Sequence, residues 1–229
     1  MEKILIVEDD KDIRDILKIY LEAESFQIWE AENGKNAFEI LENKEPDLII
    51  LDLMLPDIGG LNICKNIRTK HNYPIIMLTA KTADQDKIIG LAYGADDYIT
   101  KPFNPLEVSA RVKAQLRRYK EYGEGIKEDN TIYYKGLILD RKSRHVNLNN
   151  KELKLTPTEF NLLEVLLLNK GQVLSGEKLL HLLWEDEYYS KSTNTITVHI
   201  RNLREKMEDS FEHPEYIKTV WGVGYIIEA

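Results

Sequence analysis

PDLIILDLMLP, residues 46–56, carries four consecutive apolar side chains and then a single carboxylate, Asp52, where the run breaks up. An uninterrupted apolar run of this length reads as a short strand covered on both faces, the kind found in parallel sheets. An ionised carboxylate loses its hydration on burial, so an acid at the end of such a strand needs a reason. Asp52 is therefore either a helix cap or a site.

The same pattern recurs outward from this stretch. KILIV (3–7), FQIWE (26–30), PIIML (74–78) and DDYIT (96–100) read as further strands, and DLIIL (47–51) as the one already met. Amphipathic segments near 11–23, 34–43, 60–69, 84–92 and 104–118 read as helices. Five alternating strand and helix units predict an α/β fold with a doubly wound, five-stranded parallel sheet of the flavodoxin type. The stretch 121–130, EYGEGIKEDN, loses the periodicity and gathers charge and glycine, as linkers do. The expected organisation is a first domain at 1–120, a linker at 121–130 and a second domain at 131–229. In the second, strands are expected at 133–139, 144–148 and 151–155, then helices and a terminal hairpin.

Composition narrows the function classes. A chain of 229 residues with 43% hydrophobic content can bury one or two real cores. No stretch approaches the roughly 20 apolar residues of a membrane span. MEKILIVEDD enters a strand without the basic region and apolar core of a secretory leader, so a cytoplasmic protein with no membrane partner is expected. Cys64 is the only cysteine, and its setting in LNICKNI predicts a buried thiol. Net charge is −8. Residues 1–121 hold 17 basic and 22 acidic side chains, and residues 122–229 hold 14 and 17. Neither half is basic, so any surface for nucleic acid must be a local patch.

In open parallel sheets, ligands bind beyond the carboxyl ends of the strands. Those ends carry Glu8, Asp9 and Asp10, then Asp52, Thr79 and Lys101. Carboxylates converging on one crevice repel each other, and a hard divalent cation relieves the repulsion through oxygen ligands, which predicts Mg2+. Lys101 and Thr79 then offer an ammonium and a hydroxyl to phosphoryl oxygens, and Asp52 becomes a nucleophile that accepts phosphate. Singly, each residue has an ordinary reading as a cap, a turn residue or a solvated charge. Jointly, at these strand ends, they point to a site.

VEDD (7–10), LDLMLPDIGG (51–60), MLTAK (77–81) and DDYITKPF (96–103) resemble the receiver domain of two-component response regulators. The resemblance covers residues 3–118. It implies that Asp52 takes its phosphoryl group from a sensor histidine kinase, and that Asp9, Asp52 and the backbone carbonyl of Met54 ligate Mg2+, with Glu8 helping through water. It also implies that Lys101 contacts the phosphoryl group, that Thr79 and Tyr98 act as switch residues, and that the Lys101-Pro102 bond is often cis. Met54 and Lys81 lie where this family tunes hydrolytic water, which implies slow self-dephosphorylation and no enzymatic turnover of a substrate. Lys87, Asp96, Asp97, Glu107, Arg111 and Arg118 match the charged set through which receivers of the OmpR/PhoB class form homodimers on phosphorylation. The bland reading is surface ion pairs, each worth little. A rival reading, an aspartyl-phosphate phosphatase of the haloacid dehalogenase type, wants a second Asp two positions after the nucleophile, where this chain has Met54. A third reading, a receiver fold used only for protein contacts, leaves the complete acidic site unexplained.

TPTEFNLLEVLLL (156–168) opens with Thr156 at the N-cap, Pro157 next and Glu159 third, the signature of a capping box. A second helix is expected at 175–184 and a third near 193–208. At roughly 100° per residue, Ile196, Ile200, Leu203 and Met207 form an inward stripe, while Asn194, Val198, Arg201 and Asn202 point away. An outward valine between Asn and Arg suits the major groove, where Arg pairs with guanine, Asn with adenine, and an apolar group touches the thymine methyl. Lys191, Thr193, Thr195 and Thr197 are phosphate-contact candidates at the helix start, and His199 is a further contact candidate. YIKTVWGVGYIIE reads as a hairpin, a wing beside that helix that can also close a sheet.

Residues 131–229 thus resemble the winged helix-turn-helix of the OmpR/PhoB family. ITVHIRNLREKM and TVWGVGY carry that likeness, which adds Arg204 and Trp221 to the DNA-contact set. Many members have Arg where Asn202 and Trp221 stand. NTITVHIRNLREKM together with YIKTVWGVGY is similar to the vancomycin-resistance regulators of this family, which implies control of glycopeptide-resistance genes. Double-stranded DNA, a sensor histidine kinase and RNA polymerase are the partners implied.

Overall fold

The structure, a computed structural model, describes residues 1–80, 93–121, 130–184 and 194–229, without the side chains of 118, 120 and 121. The helix expected near 84–92, most of the 121–130 linker, and Lys81, Lys87, Lys191 and Thr193 lie outside the described residues, as does the side chain of Arg118. The chain forms two compact units, Met1–Arg117 and Arg118–Ala229.

In the first unit, β1 (Lys3–Val7), β2 (Gln27–Ala31), β3 (Leu48–Asp52), β4 (Ile75–Thr79) and β5 (Asp97–Thr100) form one sheet in the order β2-β1-β3-β4-β5. All four pairings are parallel. Helices α1 (Lys11–Ala23), α2 (Gly34–Asn43), α3 (Gly60–Lys70) and α4 (Pro105–Glu121) complete the described elements. Alternation along the strands divides the core. Ile4, Ile6, Leu48, Ile50, Ile76 and Leu78 face Leu17 and Leu21 of α1 and Val108 and Val112 of α4. Leu5, Val7, Ile49, Leu51, Ile75 and Met77 face Ala37 of α2 and Ile63, Cys64 and Ile67 of α3. Both faces are covered, which is why these strands read as unbroken apolar runs. The direction of winding reverses between β1 and β3, and the crevice beyond their carboxyl ends is where such folds bind ligands.

Cys64 is fully buried and its Sγ lies 3.4 Å from the Tyr93 carbonyl. Burial pushes its thiol up to about 11 from 9.0. Between those values the unfolded chain loses a proton that the native chain keeps, so native stability falls as pH rises from 9 towards 11, by about 3 kcal/mol at most. A thiol-reactive reagent at pH 8 is expected to label the urea-unfolded chain and leave the native chain unmodified. Rapid labelling of the native chain would contradict a structural role.

The second unit begins with four short antiparallel strands, β6 (Thr131–Tyr134), β7 (Leu137–Asp140), β8 (His145–Leu148) and β9 (Lys151–Leu153). The single strand expected at 133–139 is two strands. Lys135 and Gly136 both take positive φ, 43° and 79°, the requirement of a two-residue hairpin turn of type I′. A side chain at Gly136 would meet Asn149 Oδ1 at 2.2 Å. Helix α5 (Pro157–Leu168) carries the expected capping box: Glu159 Oε2 accepts from Thr156 N at 2.8 Å and Thr156 Oγ1 from Glu159 N at 3.4 Å. Almost every α5 side chain is buried, as an all-round apolar helix must be. Helices α6 (Gly176–Trp184) and α7 (Asn194–Met207) pack on it, and β10 (Lys218–Val220) pairs antiparallel with β11 (Gly224–Ile226). Leu174 and Tyr225 exchange two backbone hydrogen bonds of 2.9 Å, so the hairpin also extends a sheet.

Candidate metal centre and nucleic-acid interface

Strand register brings the predicted crevice residues together. Val7 lies opposite Leu51, Asp52 opposite Leu78, and Thr79 opposite Thr100, so Glu8, Asp52, Thr79 and Lys101 stand at the ends of four adjacent strands. Glu8, Asp9 and Asp52 each offer an oxygen within 4.8 Å of the others; Glu8 and Asp52 are buried and Asp9 is exposed. Lys101 Nζ sits 2.6 Å from Glu8 Oε2 and 3.3 Å from Asp52 Oδ1. Burial pushes the Glu8 carboxyl above its ordinary range and Asp52 adds to that, while Lys101 pulls it down. One ammonium against three carboxylates leaves excess negative charge, and the donors are all hard oxygens. That set suits a small divalent cation and offers nothing to a thiophilic one.

Local structure accounts for each position. Asp10 is the cap of α1, accepting from Asp12 N at 2.9 Å and Ile13 N at 3.2 Å. The capping role therefore falls on Asp10 and leaves Glu8 and Asp9 for the crevice. Arg14, one turn into α1, donates to the carbonyls of Glu8 at 2.6 Å and Asp9 at 2.8 Å, holding that backbone in place. The loop after Asp52 is pinned from outside: Asp57 accepts from Gly34 N and Lys35 N at 3.0 Å each, at the start of α2. These amide bonds, Gly34 first, hold the Asp57 carboxyl below its usual range. Gly60 N donates to Leu53 O at 3.1 Å, and a Cβ on Gly60 would lie 2.2 Å from the Asp52 carbonyl oxygen. The sequence reading missed Arg14, Asp57 and Gly60. Asp57 and Gly34 are 23 residues apart, a spacing with no local signature.

The switch residues differ in setting. Thr79 is buried, with its carbonyl accepting from Lys101 N at 2.7 Å, and the Lys101-Pro102 bond is cis. Tyr98 is half-buried against the α2 and α3 side of the core. The Met54 side chain is 58% exposed.

Two members of the expected dimer set need correction. Asp96 is fully buried and accepts from Arg68 at 2.7 Å and Ile75 N at 2.9 Å, so it anchors β4 within the chain. Asp97 is fully buried as well, 3.3 Å from Arg111, which in turn pairs with Glu107 at 2.6 Å. A carboxylate taken out of water keeps its charge only with such partners, and here the partners are intramolecular.

In α7, the inward stripe of Ile196, Ile200, Leu203 and Met207 is buried as expected, and Asn194, Thr197 and Arg201 are exposed with Asn202 half-buried. Thr195, Val198, His199 and Arg204 are buried, which corrects the outward assignment of Val198, only 7% exposed, and withdraws Thr195, His199 and Arg204 from the surface as DNA-contact candidates. The helix is enclosed on more than its core side. Thr195 and His199 share one flank, where the Trp184 ring of α6 lies 6.2 Å from His199. On the other flank Arg204 donates to Ile217 O at 2.6 Å and Thr219 Oγ1 at 2.9 Å, tying α7 to the hairpin. Tyr225 Oη and Thr197 Oγ1 are 3.2 Å apart on that same side. Trp221, at the hairpin tip, is 84% exposed.

Comparison with known proteins agrees with this geometry. Residues 4–113 match the model of the response regulator receiver domain, and residues 150–227 that of the C-terminal domain of transcriptional regulatory proteins. Regulatory protein VanR of Enterococcus faecium is 56% identical over 229 residues, 99% of each chain. Regulatory protein VanRc of Enterococcus gallinarum is 47% identical over the same span, again 99% of each. Among solved structures, the response regulator DrrB, described as a Thermotoga maritima OmpR/PhoB homolog, aligns over 100% of both chains with 33% identity and a TM-score of 0.53. A parallel α/β receiver carrying an acidic crevice, followed by a helical DNA-binding unit with a terminal hairpin, makes this chain a member of the OmpR/PhoB family of response regulators.

Proposed function

We propose that Asp52 is the phosphoacceptor of a transcriptional switch. The observation that carries this is the convergence of Glu8, Asp9, Asp52, Thr79 and Lys101 on the ends of adjacent strands. An Asp52 carboxylate oxygen attacks phosphorus in the phosphohistidine of a sensor kinase; the new O–P bond forms as the P–N bond breaks, and the leaving imidazole takes up a proton. Lys101, already within 3.3 Å of Asp52, neutralises charge on the phosphoryl oxygens, and the Thr79 hydroxyl serves as a further donor. Mg2+, held by Asp9, Asp52 and the Met54 carbonyl with Glu8 through water, would screen the charge that gathers between acceptor and donor. Asp57 and Arg14 act at a distance by holding the backbone of the ligating loops. Tyr98 turns inward as Thr79 engages the phosphoryl group. Met54, which is exposed, and Lys81, which follows Ala80 in sequence, limit water at the acyl phosphate, so self-dephosphorylation is slow.

The altered face, with Lys87, Arg118 and the Glu107–Arg111 pair of α4, then forms a homodimer. Two linked winged helices engage adjacent half-sites more tightly than one. Asn194, Thr197, Arg201 and Asn202 of α7 face the major groove, with Lys191 and Thr193 at the phosphates before it. RNA polymerase and, by similarity to VanR, glycopeptide-resistance genes are the downstream targets, all in the cytoplasm. No described helix is long and apolar enough to cross a membrane.

Selection of duplexes from a random pool by the phosphorylated full chain tests the reading, with a repeated half-site the expected result. Arg201→Ala should relax preference at one base pair, at a cost of about tenfold in affinity for the selected site, and should leave labelling of Asp52 unchanged. A wild-type chain that enriches no sequence would contradict the DNA-reading role.

A further inference from the structure

The second half of α7 carries four charged side chains, Arg201, Arg204, Glu205 and Lys206. Two of them are committed within the unit. Arg204 donates to Ile217 O at 2.6 Å and to Thr219 Oγ1 at 2.9 Å, and Lys206 Nζ lies 2.6 Å from Glu159 Oε2 in the first turn of α5. Arg201 and Glu205 are exposed, and among the described residues neither side chain forms a hydrogen bond or an ion pair. They stand four residues apart, so they share the exposed ridge that begins with Asn194 and Thr197. That ridge therefore ends in one cation followed by one anion, and Glu205 is the only acid in the α7 sequence.

A carboxylate on a surface that meets phosphates is repelled by every duplex, whatever its sequence. That repulsion is offset only where the acid finds a donor, and in the major groove the donor a carboxylate takes is the N4 amino group of cytosine. We infer that Glu205 is a specificity-determining residue, whose carboxylate accepts from a cytosine of the half-site and disfavours duplexes that lack one there. The inference rests on the DNA-binding reading above and deepens it. Residues on a helix rise by about 1.5 Å and base pairs by about 3.4 Å, so Glu205 addresses a pair roughly two steps from the one that Arg201 reads. Arg201 favours guanine and Glu205 cytosine, each at its own position. Because the two charges cancel, the ridge adds little to attraction that ignores sequence, and discrimination gains from the penalty on wrong sites as well as from the bond to the right one.

Selection from a random duplex pool by the phosphorylated full chain, run beside Arg201→Ala, Glu205→Ala and Glu205→Gln, gives the test. The wild type should enrich a cytosine roughly two base pairs from the position whose preference Arg201→Ala loses. Glu205→Ala should lose that cytosine alone and cut the ratio of specific to non-specific affinity about tenfold, in part because non-specific duplexes bind more tightly. Glu205→Gln should move the preference at that position to adenine, the base that a side-chain amide pairs with. Glu205 is exposed, so neither replacement disturbs the packing of α7. If Glu205→Ala enriches the same bases as the wild type and keeps the affinity ratio within twofold, the inference is overturned while reading by Arg201 stands. If the wild type enriches no sequence, both fall.

Discussion

Asp52→Asn should abolish phosphoryl labelling by acetyl phosphate and Mg2+, measured as the loss of the added mass in the intact chain. The substitution keeps the size of the side chain and removes the nucleophilic charge. Asp52 is 2% exposed at the end of a strand whose register with β4 is set by backbone pairing, so the fold has no cause to shift. Lys101 then keeps Glu8 at 2.6 Å as its partner. Labelling is expected to drop at least a hundredfold, and any stimulation of DNA binding by the phosphodonor should vanish with it. Equal labelling of both chains would move the acceptor elsewhere.

Gly60→Ala should damage the same site from behind. In a helix, Ala for Gly is ordinarily worth about 1 kcal/mol of stabilisation. Here the new Cβ would stand 2.2 Å from Asp52 O and 2.9 Å from Leu53 Cα, and both neighbours are backbone. Relieving that overlap moves either α3 or the end of β3. Overpacking costs about 1–3 kcal/mol and occasionally more, so the clash outweighs the propensity gain. The first unit's thermal transition should fall by roughly 10 °C in calorimetry, and acetyl phosphate labelling should slow, because the displaced backbone carries Asp52. An unchanged transition with normal labelling would show that the loop can yield.

The first unit was legible because its three central strands, β1, β3 and β4, are buried on both faces, and an unbroken apolar run has few other readings. The crevice was legible for the same reason, since polar residues stand out where such strands end. The second unit was harder. β6 and β7 read as one strand because Tyr134 and Leu137 flank only Lys135 and Gly136, and a non-glycine residue at φ 43° leaves little trace in sequence. Periodicity found the core stripe of α7, but a wheel treats a helix as one buried face and one free face. Trp184 on one side and the hairpin on the other remove His199 and Arg204 from the free face, and those partners are distant in sequence. The resemblance placed Asp96 and Asp97 at a dimer face; Arg68 and Arg111 supply the charges that let them go inside.

Duplex affinity of the full chain, measured with and without beryllofluoride in the presence of Mg2+, tests most directly whether charge gathered at the crevice governs the DNA-binding unit. Beryllofluoride stands in for the phosphoryl group on Asp52. A tenfold or greater gain in affinity that is absent in Asp52→Asn is the expected result. Equal affinity in all four conditions would contradict the coupling between crevice and duplex.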